Sequence, residues 1–137
     1  MQTFLPLPDF DESAIILDYR RLGNQRLEAR QLLTSLLNGS GWSHHPAAKM
    51  WKGYELALAE YGNIMILEWI DRGYRNTMDL IDVDDYVLPP WFGDERVHSS
   101  HRSNLLRKDY NYYSQFGWSE GPDLPYHWPD PKEYSDG

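Results

Sequence analysis

Cysteine is absent from the 137-residue chain. Disulfides, thiolate zinc sites and cysteine nucleophiles are thereby excluded together. The chain does not read as a stapled secreted scaffold, and a cytoplasmic home is the expectation. Long apolar runs are missing too. The longest, Ile64 to Leu67 with Trp69 and Ile70 beyond it, is far short of a membrane span, so no membrane contact is expected. The opening MQTFLPLPDFDES has neither the basic start nor the apolar stretch of a signal peptide. There is no P-loop, no GxGxxG and no GxSxG. Nucleotide hydrolysis and nicotinamide chemistry therefore lack a motif. No internal repeat and no convincing alternating strand appears.

What is present is a hydrophobic fraction of 41%, enough for one core, and an aromatic load of ten Tyr, six Trp and four Phe. The Trp residues read mostly as packing anchors. The length suits one compact domain, 1–137, expected as a monomer. Net charge is −8, which argues against broad phosphate binding. The charge is segregated, however. Residues 17–54 hold six basic residues against Asp18 and Glu28, and residues 96–108 hold four against no acid. Acids gather in 79–95 and after 119. A basic face on an acidic protein is possible if the two basic segments meet.

Hydrophobic spacing predicts an all-α fold of a few helices. Phe4 to Phe10, with its prolines, reads as an extended lead-in, and Asp11-Glu12-Ser13 as a helix cap. Ile15, Leu22, Ala29, Leu33 and Leu36 recur at helical spacing through Ala14–Leu37, as one helix or as two broken near Gly23-Asn24. Asn38 to Gly41 ends it. A second helix starts at Pro46 and runs towards Tyr61, with Gly62 as a joint and a continuation to Arg72-Gly73. Residues 76–94 form an acidic loop broken at Pro89-Pro90. Asp94 caps a last helix, 95–108. An aromatic run from Tyr110 to Trp118 and an irregular tail, 119–137, follow.

Glu28 is the first candidate for chemistry. Arg21, Gln25 and Glu28 stand at i, i+4 and i+7, on one helix face, with Arg20, Arg26 and Arg30 nearby. A carboxylate framed by guanidinium groups can stabilise an oxocarbenium-like sugar or pass protons at a glycosidic bond. The same pattern also makes an ordinary solvated charge face. His44 and His45, and the i, i+3 pair His98 and His101, invite a metal reading. No acid completes a zinc motif such as H-E-x-x-H, so no metal is assigned and the histidines are read as hydrogen-bonding or phosphate-contacting groups. The polar helix 95–108 brings Ser99, Arg102, Asn104, Arg107 and Lys108, types that contact phosphate. Tyr110 and Tyr113 either stack on an unpaired base or close the core.

The segment Leu17 to Glu28, LDYRRLGNQRLE, resembles the first helix of the pyrimidine-dimer DNA glycosylase superfamily, endonuclease V-like, in its Leu-Asp, Leu and Glu intervals. Asn38 to Pro46 is similar to that family's Gly-aromatic-x-x-His-Pro stretch. Arg72-Gly73-Tyr74-Arg75-Asn76 resembles its Arg-Gly-aromatic turn, and Arg107 to Tyr113 its basic, Tyr-rich run that helps bind DNA. The likeness covers roughly residues 12–117 and is nearest to a bacterial and phage branch with Phe-Leu-Pro at the start and Arg21 to Ala29 in the helix.

The resemblance implies a DNA N-glycosylase for a pyrimidine dimer or another damaged or modified base, with AP-lyase activity and no cofactor. The chain's α-amine attacks C1′, a Schiff base forms, the base leaves, and β-elimination cuts the strand. α-Amines as a class titrate at about 8, which leaves some neutral nucleophile at pH 7. Glu28 falls on the catalytic Glu, and a flipped base exposes C1′. In the phage prototype Met is removed and a Thr amine reacts. Gln2 here is bulky enough to retain Met1, so the amine is assigned to Met1, or to Gln2 if Met1 is lost. The DNA contacts implied are Arg20, Arg21, Gln25, Arg26, Arg30, His44, His45, Lys49, His98, His101, Arg102, Asn104, Arg107, Lys108, Tyr110 and Tyr113. Two other readings stay open. One is an acidic interaction protein that mimics DNA. The other is a nucleotide N-glycosidase with a pocket too narrow for duplex.

Overall fold

The computed structural model describes residues 1–134 and, for Pro131, the backbone alone. It is all-helical, with no strand among the described residues. The α-helices are α1 (Phe10–Ile16), α2 (Tyr19–Asn38), α3 (Pro46–Lys49), α4 (Glu55–Asp71), α5 (Glu95–Lys108) and α6 (Tyr110–Tyr113). Short 3-10 turns lie at Gly41–His44, Ser114–Phe116 and Pro131–Tyr134. No helix among them is long and apolar enough to cross a membrane. α2 and α4 form the principal packed pair. Leu22, Ala29 and Leu32 of α2 meet a core that includes Ala57, Leu58, Tyr61 and Met65 of α4, with Trp51 and Trp91 fully enclosed. Leu22, Ala29 and Leu33 lie inside as their spacing predicts, but Ile15 is exposed.

Several boundaries differ from the sequence expectation. The cap of α1 is Asp9, whose carboxylate accepts the Glu12 N–H at 2.8 Å; Asp11 and Glu12 occupy the first turn. The break in the first helical stretch falls at Leu17-Asp18. Its cause lies far along the chain. The Tyr113 hydroxyl accepts the Asp18 N–H at 3.0 Å and donates to the Asp18 carboxylate, which also pairs with Arg21 at 3.2 Å. Gly23 lies within α2, where a Cβ would stand 2.9 Å from the Trp69 ring of α4, so the glycine serves close helix packing rather than a break. Pro46 opens only one turn, capped by the His45 ring, and the chain turns again at Gly53 before α4 begins. Gly62 lies within α4, its Cα facing Ala29, rather than at a joint. The end of α4 at Arg72-Gly73 and the Asp94 cap of α5 agree with expectation.

The lead-in is extended but deeply buried from Gln2 to Pro6. Buried backbone groups need partners, and side chains from three directions supply them. Phe4 N–H donates to Gln25 Oε1 at 2.9 Å. Leu5 N–H donates to His101 Nδ1 at 2.9 Å, and His98 Nδ1 donates to the Leu5 carbonyl at 2.7 Å. Arg102 donates to the Pro6 carbonyl at 2.8 Å. Trp51 Nε1 donates to the Thr3 hydroxyl at 3.0 Å. The tail from 119 is irregular but placed, lying along α5; its residues 135–137 fall outside the described part.

Two predictions test this packing. Ala favours a helix over Gly by about 1 kcal/mol, yet Gly23→Ala is expected to lower the denaturant midpoint, since overpacking costs about 1–3 kcal/mol. Gly62→Ala, with 3.5 Å to Ala29, is expected to hold or raise it. A raised midpoint for Gly23→Ala would show that Trp69 yields freely. The second concerns His101, whose burial, with His98 and Arg102 beside it, pushes the ring down to about 3. The unfolded chain then binds the extra proton between about 6.5 and 3. The stability from His101 is complete above about 6.5 and is lost as pH falls towards 3, by up to about 1.4 kcal/mol per pH unit. Thermal melts across that range should flatten in His101→Gln, which still offers Leu5 N–H an acceptor; an unchanged slope would refute the assignment.

Candidate active site

A pocket of about 450 Å³ opens beside the chain start. Met1, Gln2 and Phe4 form one side; Arg20, Arg21, Asn24, Gln25 and Glu28 of α2 form another. Lys108, from the end of α5, and Tyr126, from the tail, complete it. The volume falls in the range of pockets that take a small ligand, roughly 300–1,000 Å³. The helical spacing that aligned Arg21, Gln25 and Glu28 thus delivers all three to one cavity. The two basic segments meet here as well, through Arg20, Arg21 and Lys108.

Glu28 is half-buried. Burial raises its carboxyl above the ordinary value, while the α-amine of the chain start and Lys108 pull it back down. The amine is therefore close enough to feel the carboxylate. Gln25 Nε2 donates to Glu28 Oε2 at 2.8 Å. Gln25 is wholly buried; its Oε1 accepts Phe4 N–H and lies 2.7 Å from the Tyr61 hydroxyl. The hydroxyl is also 2.8 Å from the Phe4 carbonyl, so its one proton serves two acceptors. Gln25 was expected as a DNA contact; its polar atoms are instead spent inside the protein, beneath Glu28. Gln2 is buried at the pocket side, with Oε1 accepting the Thr3 N–H and Nε2 without a partner among the described residues.

Arg26 and Arg30 leave this site. Arg26 lies over the Trp69 ring at 4.4 Å and donates to Asn76 Oδ1 at 2.7 Å. Arg30 donates to the Asp79 carbonyl at 2.7 Å. Both fasten the chain after α4 to the opposite flank of α2, which is why their expected phosphate role has no geometry here. Arg20 is exposed, its Nε donating to the Tyr19 hydroxyl at 3.1 Å.

The polar face of α5 has also been assigned to phosphate, and the structure gives it to the tail. Arg102 pairs with Glu95 and with Glu120 at 2.7 Å, and Ser99 donates to Glu120 at 2.7 Å. Ser103 donates to the Gly121 carbonyl at 2.5 Å, and Asn104 donates to the Leu124 carbonyl at 3.1 Å. Arg107 donates to the Pro122 carbonyl at 3.0 Å. His98 and His101 are fully buried on the lead-in, as hydrogen-bonding groups out of reach of phosphate. Of this helix only Lys108 reaches the pocket. Tyr113 is enclosed on Asp18, whereas Tyr110 is exposed. His45 caps α3 and lies edge-on to Trp42 and Trp128; burial and then the chain-start amine lower its ring. His44 and Lys49 are exposed and do not line the pocket.

Tyr126 was not anticipated. It packs against His101 and Phe4, and burial pushes its phenol up to about 12. The aromatic, proline-rich tail composition carried no signal of where it would lie. Among the described residues no group of three or more His, Asp or Glu could hold a metal ion.

A model of the family described as pyrimidine dimer DNA glycosylase matches residues 1–82. That span holds the lead-in, Glu28 and its α2 neighbours, and excludes α5 and the tail. No curated protein matches the chain, and no solved structure does.

The raised Glu28 carboxyl makes a prediction about stability. A carboxyl whose folded value exceeds its unfolded one destabilises when ionised; the cost is absent below the unfolded value and complete above the folded one. Glu28→Gln is therefore expected to melt at or above the wild-type temperature at pH 7, by calorimetry, and to lose that advantage at acid pH. A clear drop at pH 7 would make Glu28 a structural residue.

Proposed function

The chain belongs to the pyrimidine dimer DNA glycosylase family, and on that footing we propose that the Glu28 pocket excises a damaged or modified pyrimidine from DNA, with the Met1 amine as nucleophile. What supports the reading is one juxtaposition: Met1 and Glu28 line the same pocket, and the amine acts electrostatically on the carboxylate. In the proposed reaction the amine nitrogen bonds to C1′ as the glycosidic bond breaks. The base departs with the electron pair and takes up a proton. The amine then gives its proton to the ring oxygen, the sugar opens, and an iminium joins Met1 to C1′. Loss of a C2′ proton expels the 3′ phosphate and cuts the strand. Glu28 sits where it can move these protons and face the cationic sugar. Arg20, Arg21 and Lys108 hold the flanking phosphates. The expected DNA contacts are accordingly few, which accords with an acidic protein whose positive surface is local.

Borohydride trapping on a duplex with one abasic site tests the proposal. A covalent adduct mapped to Met1, lost in Glu28→Gln, is expected. Adduct on Gln2 would mean that Met1 is removed. Base release without an adduct would replace the amine by water activated by Glu28. Neither release, adduct nor DNA binding would favour the acidic interaction protein.

A further inference from the structure

We propose that Gln25 and Tyr61 are positioning residues that register the carboxylate of Glu28 against the chain-start amine. The inference rests on the reading of those two groups as the reacting pair. Its evidence is the wiring of a single buried amide. Gln25 Oε1 receives Phe4 N–H at 2.9 Å and lies 2.7 Å from the Tyr61 hydroxyl. Phe4 N–H leaves no freedom to exchange the amide's ends, because a flip would set the NH₂ against that donor. Nε2 must therefore point at Glu28, where it donates to Oε2 at 2.8 Å.

The consequence is mechanical and electrostatic at once. One end of the amide fixes one oxygen of the carboxylate, leaving Oε1 for the pocket. The other end fixes the backbone three residues from the amine. Neither reacting group can shift without disturbing the other. The donated hydrogen bond also favours the ionised carboxylate, against the burial that disfavours it. Tyr61 acts through Gln25. It comes from α4, is fully buried, and its phenol is pushed well above its usual value, so it stays a donor at any working pH. Its ring sits edge-on to Phe10 and near Trp51, which a phenylalanine would preserve.

Gln25→Met keeps the bulk and removes both polar ends; Tyr61→Phe leaves the amide and removes the hydroxyl shared by Gln25 Oε1 and the Phe4 carbonyl. The direct measurement is the NMR titration of the Glu28 side-chain carboxyl in the free protein. Gln25→Met is expected to raise its midpoint by about one unit, since a lost charge-assisted hydrogen bond to a carboxylate is worth about that much. Tyr61→Phe should raise it less. Trapping on an abasic duplex should slow about 10-fold or more in Gln25→Met at saturating DNA, with the dissociation constant unchanged. An unmoved Glu28 titration in a folded variant overturns the proposal, as does weakened DNA binding at an unchanged trapping rate. Should Gln25→Met fail to fold, the Tyr61→Phe titration decides by the same criterion. A shifted titration with no wild-type adduct would support the positioning role while refuting the amine mechanism.

Discussion

The backbone of residues 2–6 runs through the interior without secondary structure, and this fixes the molecule. An extended strand in a helical protein has no neighbour to answer its N–H and C=O groups, each costly to bury alone. Gln25, His101, His98, Arg102 and Tyr61 answer them from α2, α5 and α4. The helices are thereby tied to one another through the segment they enclose. The α2–α4 pair supplies much of the apolar burial, but the lead-in decides where α5 sits. It also explains polar residues at positions that packing alone would fill with leucine. The chain start is held by its backbone as well as by the buried side chains of Thr3, Phe4 and Leu5.

Charge follows the same logic of local assignment. A net charge of −8 does not describe the pocket, where three basic side chains and an amine surround one carboxylate. The remaining basic residues of α2, Arg26 and Arg30, are occupied by the segment after α4, through the Asn76 amide oxygen and the Asp79 carbonyl. Those of α5 are occupied by the tail. An acidic chain thus carries a compact positive site by spending most of its Arg on itself. Family membership rests on residues 1–82; Lys108 and Tyr126, which line the same pocket, lie outside that span.

The sequence was most readable where the cause of structure is close by. Asp94 announced α5, Gly73 ended α4, and the spacing of Arg21, Gln25 and Glu28 placed three side chains in one cavity. It was misleading where the cause is remote. The break at Leu17-Asp18 depends on Tyr113, about a hundred residues away, and Gly23 looked like a hinge because Trp69 was not in view. The polar row of α5 shows the limit most clearly. Ser, Asn and Arg suit a phosphate backbone and suit a peptide backbone equally, since both present acceptor oxygens. Glu120 decides between them, and nothing in α5 itself announces it. Gln25 was placed on the correct face, but the two donors that bury it belong to Phe4 and Tyr61.

The tail lies along α5 and brings Tyr126 to the pocket that Met1 and Glu28 line, so its walls come from segments far apart in the chain. Synthesis proceeds from one to the other. A nascent chain carries Glu28 long before the wall opposite it exists, and the side chains of α5 that answer the tail wait for Glu120 and Leu124 to emerge. Assembly of the site therefore waits for residues 120–126, which close the wall opposite Glu28 long after α2 has been made.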